Sequence, residues 1–363
     1  MTTPACRDCL LRSTLLGELS AVIDLRARDR SRLVQLLGRE DLELIELLGG
    51  SRREALRRAH REGLLAPGCS QAAAVCVHHR LFPRRLHGPG GPRLLYTDGD
   101  GCLLHESDRR AAVALLGTQR PSDYGVEMAY ALAHSLAHEG VLVVTVLADG
   151  VARAARSGAE HTGRGAVMLS GNGLAVPTAV DARPPAAGAR PRGCVAAELP
   201  PGCPGRRWGG LAAERTAVEL ADVVVVVEAE SEGELFAIEV ARAKGGPVAA
   251  VPGRATAPLS RGPLELLRAG ASLVRSGEDV LGLLGRPPGR SPRRGGDPGL
   301  SAPLARLLDR IGSGQETPDR LLSGTDASEV LLGLAQLELM GRVRRTRDGR
   351  YVPTARAAIA RET

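Results

Sequence analysis

Residues 111–146, AAVALLGTQRPSDYGVEMAYALAHSLAHEGVLVVTV, read as strand, helix, strand. AAVALLG (111–117) and VLVVTV (141–146) are unbroken apolar runs too short for ordinary helices. That is the pattern of strands with both faces covered. Between them Ser122 stands where an N-cap belongs, ahead of a segment with helical periodicity. Two parallel strands need a crossover of about this length, so the stretch predicts a β-α-β unit.

The same pattern extends downstream. GAVMLS (165–170), CVAAEL (194–199), VVVVVEA (223–229) and PVAAVPG (247–253) are further short apolar runs separated by amphipathic segments. Alternation of this kind over residues 94–285 predicts an α/β domain, a doubly wound parallel sheet. Residues 1–60 read as all-helical: Leu10, Leu11, Leu15, Leu16 and Leu19 recur at helical spacing, and LVQLLGREDLELIELLGG (33–50) ends on a Gly-Gly stop. This front is similar to small helical modules of the sterile-alpha-motif (SAM-like) type. Residues 61–93 mix Gly, Pro, Arg and His without period and read as a linker. Residues 286–303, RPPGRSPRRGGDPGLSAP, read as a solvated tether. Beyond it, Thr317-Pro318-Asp319 starts a helix, Asp326 and Glu329 have capping-box spacing, and Asp348-Gly349 marks a hairpin turn. Residues 304–363 therefore suggest a winged-helix module, with a protein contact as the competing use of its second helix.

Composition narrows the function. The chain of 363 residues carries a formal net charge of +7, which suits a polyanionic partner. Lys244 is its one lysine, so arginine, whose planar fork binds phosphate oxygens in pairs, supplies nearly all the positive charge. Aromatic residues are 2% of the chain, too few for a base-stacking platform, so backbone amides and arginines would have to hold any nucleic acid. The longest apolar run is VVVVV at 223–227, and no secretory leader is visible, which predicts a cytoplasmic protein with no membrane partner. Seven cysteines form no tight framework. Cys6 and Cys9 make a CxxC, but no second pair with metal spacing follows, so the thiols read as reduced and no metal is expected.

In an open parallel sheet, ligands bind beyond the carboxyl ends of the strands, where helix N-termini present free N–H groups. The first such place is the segment after 111–117. There Gly117 permits close backbone approach, Thr118 offers a hydroxyl, Arg120 can pair with phosphate and Gly125 lets the next helix pack close. Five segments, AVALLGTQRPSDYG, LAHEGVLVVTVLADGVARAA, GRGAVMLSGNGL, AAERTAVELADVVVVVEAESEGELFAIEVA and PVAAVPGRATAPLSRGPLELLRAGA, follow in an order and spacing that resemble the DprA/Smf DNA-processing family. The helical front and the tail match too, so the resemblance covers nearly the whole chain. It implies an extended Rossmann-like fold, homodimers and single-stranded DNA held in a basic pocket. It further implies protection of incoming DNA and its delivery to a RecA-type recombinase in natural transformation, with no catalysis and no cofactor. Carried onto this chain, the DNA-binding residues are Gly117, Thr118, Arg120, Gly125, Gly150, Arg164, Arg207, Arg215 and Gly233.

The phosphate-facing motifs are degenerate. Gln119 takes the place of the first motif's arginine and Arg120 follows it; Asp149 stands at an arginine position of the second, and Arg156 at its histidine. The third keeps only its last arginine, as Ala213-Glu214-Arg215, and the fourth, Glu232 to Ile238, loses its hydroxyls. Arg153, Arg156, Arg164, Arg206 and Arg207 are the candidates to compensate. A diverged scaffold or winged-helix regulator that does not bind DNA is the alternative. An enzyme of the base-releasing Rossmann-like type is disfavoured, because the only PGG, at 89–91, lacks the Gly-Thr that such enzymes carry after it. His134 and His138, at i and i+4, read as helix-surface histidines; Ser170 in SGNG lacks the nucleophile-elbow pattern; Trp208 reads as core.

Overall fold

A computed structural model describes residues 5–26, 30–65, 73–88, 90–174, 193–231, 236–286, 300–312, 317–322, 326–346 and 349–353. The chain divides into two compact units, residues 1–284 and 285–363.

In the first unit four helices lead: α1 (Arg7–Arg26), α2 (Arg30–Leu37), α3 (Asp41–Leu48) and α4 (Arg53–Glu62). There follow β1 (Ala73–Cys76), β2 (Leu94–Gly99), α5 (Cys102–Glu106), β3 (Ala112–Leu116), α6 (Asp123–His138), β4 (Leu142–Val146), α7 (Val151–His161), β5 (Ala166–Ser170) and β6 (Gly193–Ala197). The unit closes with α8 (Arg207–Leu220), β7 (Val223–Val226), α9 (Phe236–Lys244), β8 (Val248–Ala250), α10 (Arg261–Arg268), β9 (Ser272–Leu273) and α11 (Gly277–Leu283). The nine strands make one sheet in the order β1-β2-β6-β5-β4-β3-β7-β8-β9. From β6 to β9 every pairing is parallel; β1 with β2 and β2 with β6 are antiparallel.

Each strand expected from an apolar run is present, and burial explains why. All five residues of β3 and all four of β7 are buried, because helices cover both faces. On one face Leu132, Ala133 and Leu136 of α6 and Ala155 and Ala159 of α7 pack on Val113, Leu115, Val143 and Val225. On the other, Ala213, Ala217 and Leu220 of α8 pack on Leu142, Val144 and Val167, while Ala237 and Ile238 of α9 meet Leu116 and Val224. The sheet is therefore doubly wound, and mostly rather than wholly parallel.

Two expectations about boundaries are corrected. Residues 61–93 are not merely a linker: Ala73–Cys76 is the edge strand β1, paired with Leu94–Thr97. Nor are residues 1–60 a separate module. Leu15, Leu19 and Ile23 of α1 share a continuous apolar core with Leu199 after β6, Trp208 and Leu211 of α8 and Phe236 of α9. Trp208 is 1% exposed and its indole N–H donates to the Ser20 carbonyl at 3.1 Å. The helices lie on α8 because they lack enough apolar surface of their own to close a core.

The second unit holds α12 (Ala302–Gly312), α13 (Pro318–Leu322), α14 (Ala327–Leu339) and an antiparallel hairpin of β10 (Val343–Arg345) and β11 (Tyr351–Pro353). Asp326 caps α14 by accepting from the Ser328 amide at 2.8 Å. Leu304, Leu307, Leu308, Leu321, Leu334 and Val343 form its small core.

Candidate functional site

Strands β3 to β6 step outward on one side, and the chain then returns to lay β7 against the free side of β3. The helices that follow β3 and β7, α6 and α9, pack on opposite faces of the sheet. Their connecting loops lead to opposite faces from the carboxyl edge, the switch point at which open α/β sheets hold ligands in a crevice.

Four of the expected residues meet in this crevice. The Thr118 amide donates to the Glu228 carbonyl at 2.7 Å, joining the loops after β3 and β7, and the Val151 amide donates to the Thr118 carbonyl at 3.2 Å. Gly150 has φ of +73°, and a side chain there would stand 2.6 Å from the Gln119 carbonyl carbon. Only glycine fits both demands. A Cβ on Gly117 would sit 2.8 Å from the Glu228 carbonyl oxygen and one on Gly125 would collide with the Glu228 carboxylate, so both are sites of close approach. Tyr124 donates from its hydroxyl to the Pro252 carbonyl at 2.8 Å, which ties the loop after β8 to the same assembly. Burial and the charge of Glu228 hold the Tyr124 hydroxyl above its ordinary pKa.

Glu228, 5% exposed, was not singled out from the sequence. It accepts from the Ser122 amide at 2.9 Å and the Ser122 hydroxyl at 2.6 Å, while Ser122 caps α6 by accepting from the Gly125 amide at 3.2 Å. A carboxylate thus occupies the positive end of α6, the position at which a phosphate could otherwise sit. The acidic position Asp149 is matched internally by an ion pair with Arg153, one turn on in α7. Arg156 is likewise paired, with Glu160 at 2.8 Å, and Glu214 accepts from the Ala237 amide at the start of α9.

The expected arginines do not gather there. Arg120 is exposed on the loop after β3, as expected. Arg207 is exposed at the start of α8, at the carboxyl edge of β6, three strands from β3 in the sheet. Arg164 lies just before β5, hence at the opposite, amino edge. Arg215 is buried, 1% exposed: its Nη2 donates to both Glu198 oxygens at 2.7 Å and its Nη1 to the Gly90 carbonyl. Arg164 and Arg215 are therefore removed from the crevice, one by strand direction and the other by a buried ion pair. Gly233 lies outside the described residues. Two arginines not foreseen take up the rim. Arg254 follows β8 and Arg261 begins α10, both exposed, and among the described residues neither they nor Arg120 make an ion pair. Their signal was available in the PVAAVPGRATAPLSR segment, which follows a buried strand with two arginines in turn positions.

The remaining candidates have structural roles. Trp208 is core, and the Ser170 hydroxyl accepts from the Asn172 amide in a turn at 3.1 Å. His134 stacks on Tyr130, and burial with the nearby His138 and His161 depresses its pKa. The cysteine reading missed a convergence: Cys76 and His78 lie against Cys6 and Cys9. Among the described residues, no helix is long and apolar enough to cross a membrane.

Residues 73–285 match the DNA recombination-mediator protein A family. The chain belongs to that family. Its relatives include the DNA processing protein DprA of Mycobacterium tuberculosis, 34% identical over 72% of this chain and 68% of that one. Protein Smf of Escherichia coli is 29% identical over 85% of this chain and 87% of its own. The crystal structure of DprA from Streptococcus pneumoniae shares the fold, with a TM-score of 0.58 and 24% identity, covering 78% of this chain and 98% of that one. The DNA recombination-mediator match runs from β1 to the end of α11, so it includes the crevice and leaves out the helical front and the second unit.

Proposed function

We propose that this family member binds single-stranded DNA without catalysis, along the carboxyl edge of its sheet. In this reading it acts in the cytoplasm as a homodimer that protects incoming DNA and loads a RecA-type recombinase. Exposed Arg120, Arg254 and Arg261 on the loops around the β3–β7 crevice, which make no ion pair among the described residues, carry the reading. They stand on neighbouring loops above β3 and β8, strands separated by β7 alone, so one sugar–phosphate backbone can pass over all three. Exposed guanidinium groups at a loop-lined edge suit phosphate, and scarce aromatic residues suit recognition of the backbone rather than the bases. Three helices followed by a short hairpin in the second unit are consistent with a winged-helix module.

Fluorescence anisotropy with oligo-dT tests this across a salt series. Each phosphate contact contributes about 0.7 to the slope of log affinity against log salt on a single strand. The triple variant Arg120→Ala, Arg254→Ala, Arg261→Ala is expected to lose about 2 from that slope, and Arg164→Ala nothing. Absent or salt-independent binding by the wild-type chain would refute the proposal. It would favour instead a diverged scaffold, a reading that draws on Glu228 already filling the end of α6.

A further inference from the structure

We propose that Cys6, Cys9, Cys76 and His78 form a zinc site that fastens the leading helices to the edge strand of the sheet. Cys6 and Cys9 lie one turn apart at the start of α1, Cys76 ends β1, and His78 stands two residues later in the following turn. The four ligand atoms all lie within 4.8 Å of one another. His78 Nδ1 is 3.2 Å from Cys6 Sγ and 3.6 Å from Cys9 Sγ. A tetrahedral zinc with its usual Zn–S and Zn–N bonds sets S···N edges of roughly 3.5 Å and S···S edges of roughly 3.8 Å. The donors thus already span one coordination shell, and the longest separation needs to close by about 1 Å. A four-iron cluster would hold its cysteine sulfurs farther apart than this.

The surroundings also fit a closed structural ion. Cys9 and Cys76 are buried among Ala5, Leu94 and Tyr96, and only His78 is exposed. The Cys6 amide points at Cys76 Sγ from 3.5 Å, the kind of contact that stabilises a metal-bound thiolate. Three sulfurs and one imidazole select zinc over the hard cations magnesium and calcium. A disulfide would use two of the three thiols and leave the third and the imidazole without a role. Binding exchanges three thiol protons for the dication, with no change of oxidation state. The two chelating pairs are far apart in the chain, Cys9 and His78 by 69 residues, so the ion closes a long loop.

Elemental analysis of the full chain, purified under reducing conditions from zinc-supplemented medium, tests the site. About one zinc per chain is expected for the wild type, and less than about a tenth of that for Cys76→Ser. Cobalt titration of zinc-stripped wild-type protein is an independent measurement that does not need Cys76→Ser to fold. It should give intense tetrahedral d–d bands with sulfur-to-metal charge transfer. The variant His78→Cys should keep the metal and strengthen the charge-transfer band. No stoichiometric metal and no cobalt–thiolate band would overturn the proposal, as would iron in place of zinc. A Cys6–Cys9 or Cys9–Cys76 disulfide in the freshly reduced protein would overturn it too.

Discussion

Replacing Arg215 by alanine separates the two roles that an arginine in this position can have. In the structure its guanidinium is the cationic half of a buried pair with Glu198, whose side chain is 12% exposed. Without it, Glu198 keeps the hydroxyl of Thr216 as a donor at 2.5 Å, and the Gly90 carbonyl loses its partner. Breaking a buried pair from one side costs about 3–5 kcal/mol, because a charge is left without compensation. For a cooperative unit of this size a melting temperature falls by roughly 2 °C per kcal/mol, so the expected drop is roughly 6–10 °C. Thermal unfolding followed by circular dichroism reads that drop. Oligo-dT anisotropy, measured well below the transition, should show a salt slope equal to that of the wild type. The opposite result, an unchanged melting temperature with a slope lower by about 0.7, would mean that Arg215 meets a phosphate, and the structural assignment would be wrong.

Two further outcomes follow from the same unit. Gly150→Ala puts a side chain at φ of +73° against the Gln119 backbone and should lower the unfolding free energy by about 2 kcal/mol in urea titration. Glu219 supplies a pH dependence: burial, opposed by Arg215 and reinforced by Glu198, pushes its carboxyl up from 4.5 to about 7. The folded state then holds this proton more tightly than the unfolded chain does. The stabilisation is full below pH 4.5 and is lost as pH rises through about 7, a change of about 3 kcal/mol. Glu219→Gln removes that dependence, so its stability relative to the wild type should be higher at pH 8 than at pH 5. A difference equal at both values would contradict the assignment.

What could be read from the sequence follows from what each signal depends on. The six strands from β3 to β8 declare themselves because a parallel sheet covered on both faces demands apolar side chains at every position, as in Val223–Val226. Strand β2 ends in exposed Asp98 and Gly99, and β1, at the sheet's edge, has one buried residue in four, so these antiparallel strands lack that signature. Gly117, Thr118, Gly125 and Gly150 were legible because loops after strands obey local rules. Arg215 was not, because its fate depends on Glu198, a partner brought in from β6's far end by the packing of α8. Arg164 failed on direction alone: a position just before a strand lies on the wrong edge, however basic it is. The Cys76 and His78 partners of Cys6 and Cys9 come together only once β1 is recognised as a strand, and the linker reading concealed it.

The shared core of the leading helices and α8 has a consequence for how the chain is made. Ser20 and Trp208, joined by the indole hydrogen bond, are 188 residues apart. A ribosome adding about 5–20 residues per second delivers the tryptophan roughly 10–40 s after the serine. Throughout that interval Leu15, Leu19 and Ile23 have only Leu33 to Leu65 of their core to pack on, and lack the part supplied by Leu199, Trp208, Leu211 and Phe236. The nascent front end must therefore wait, shielded or loosely collapsed, until most of the sheet has been synthesised behind it.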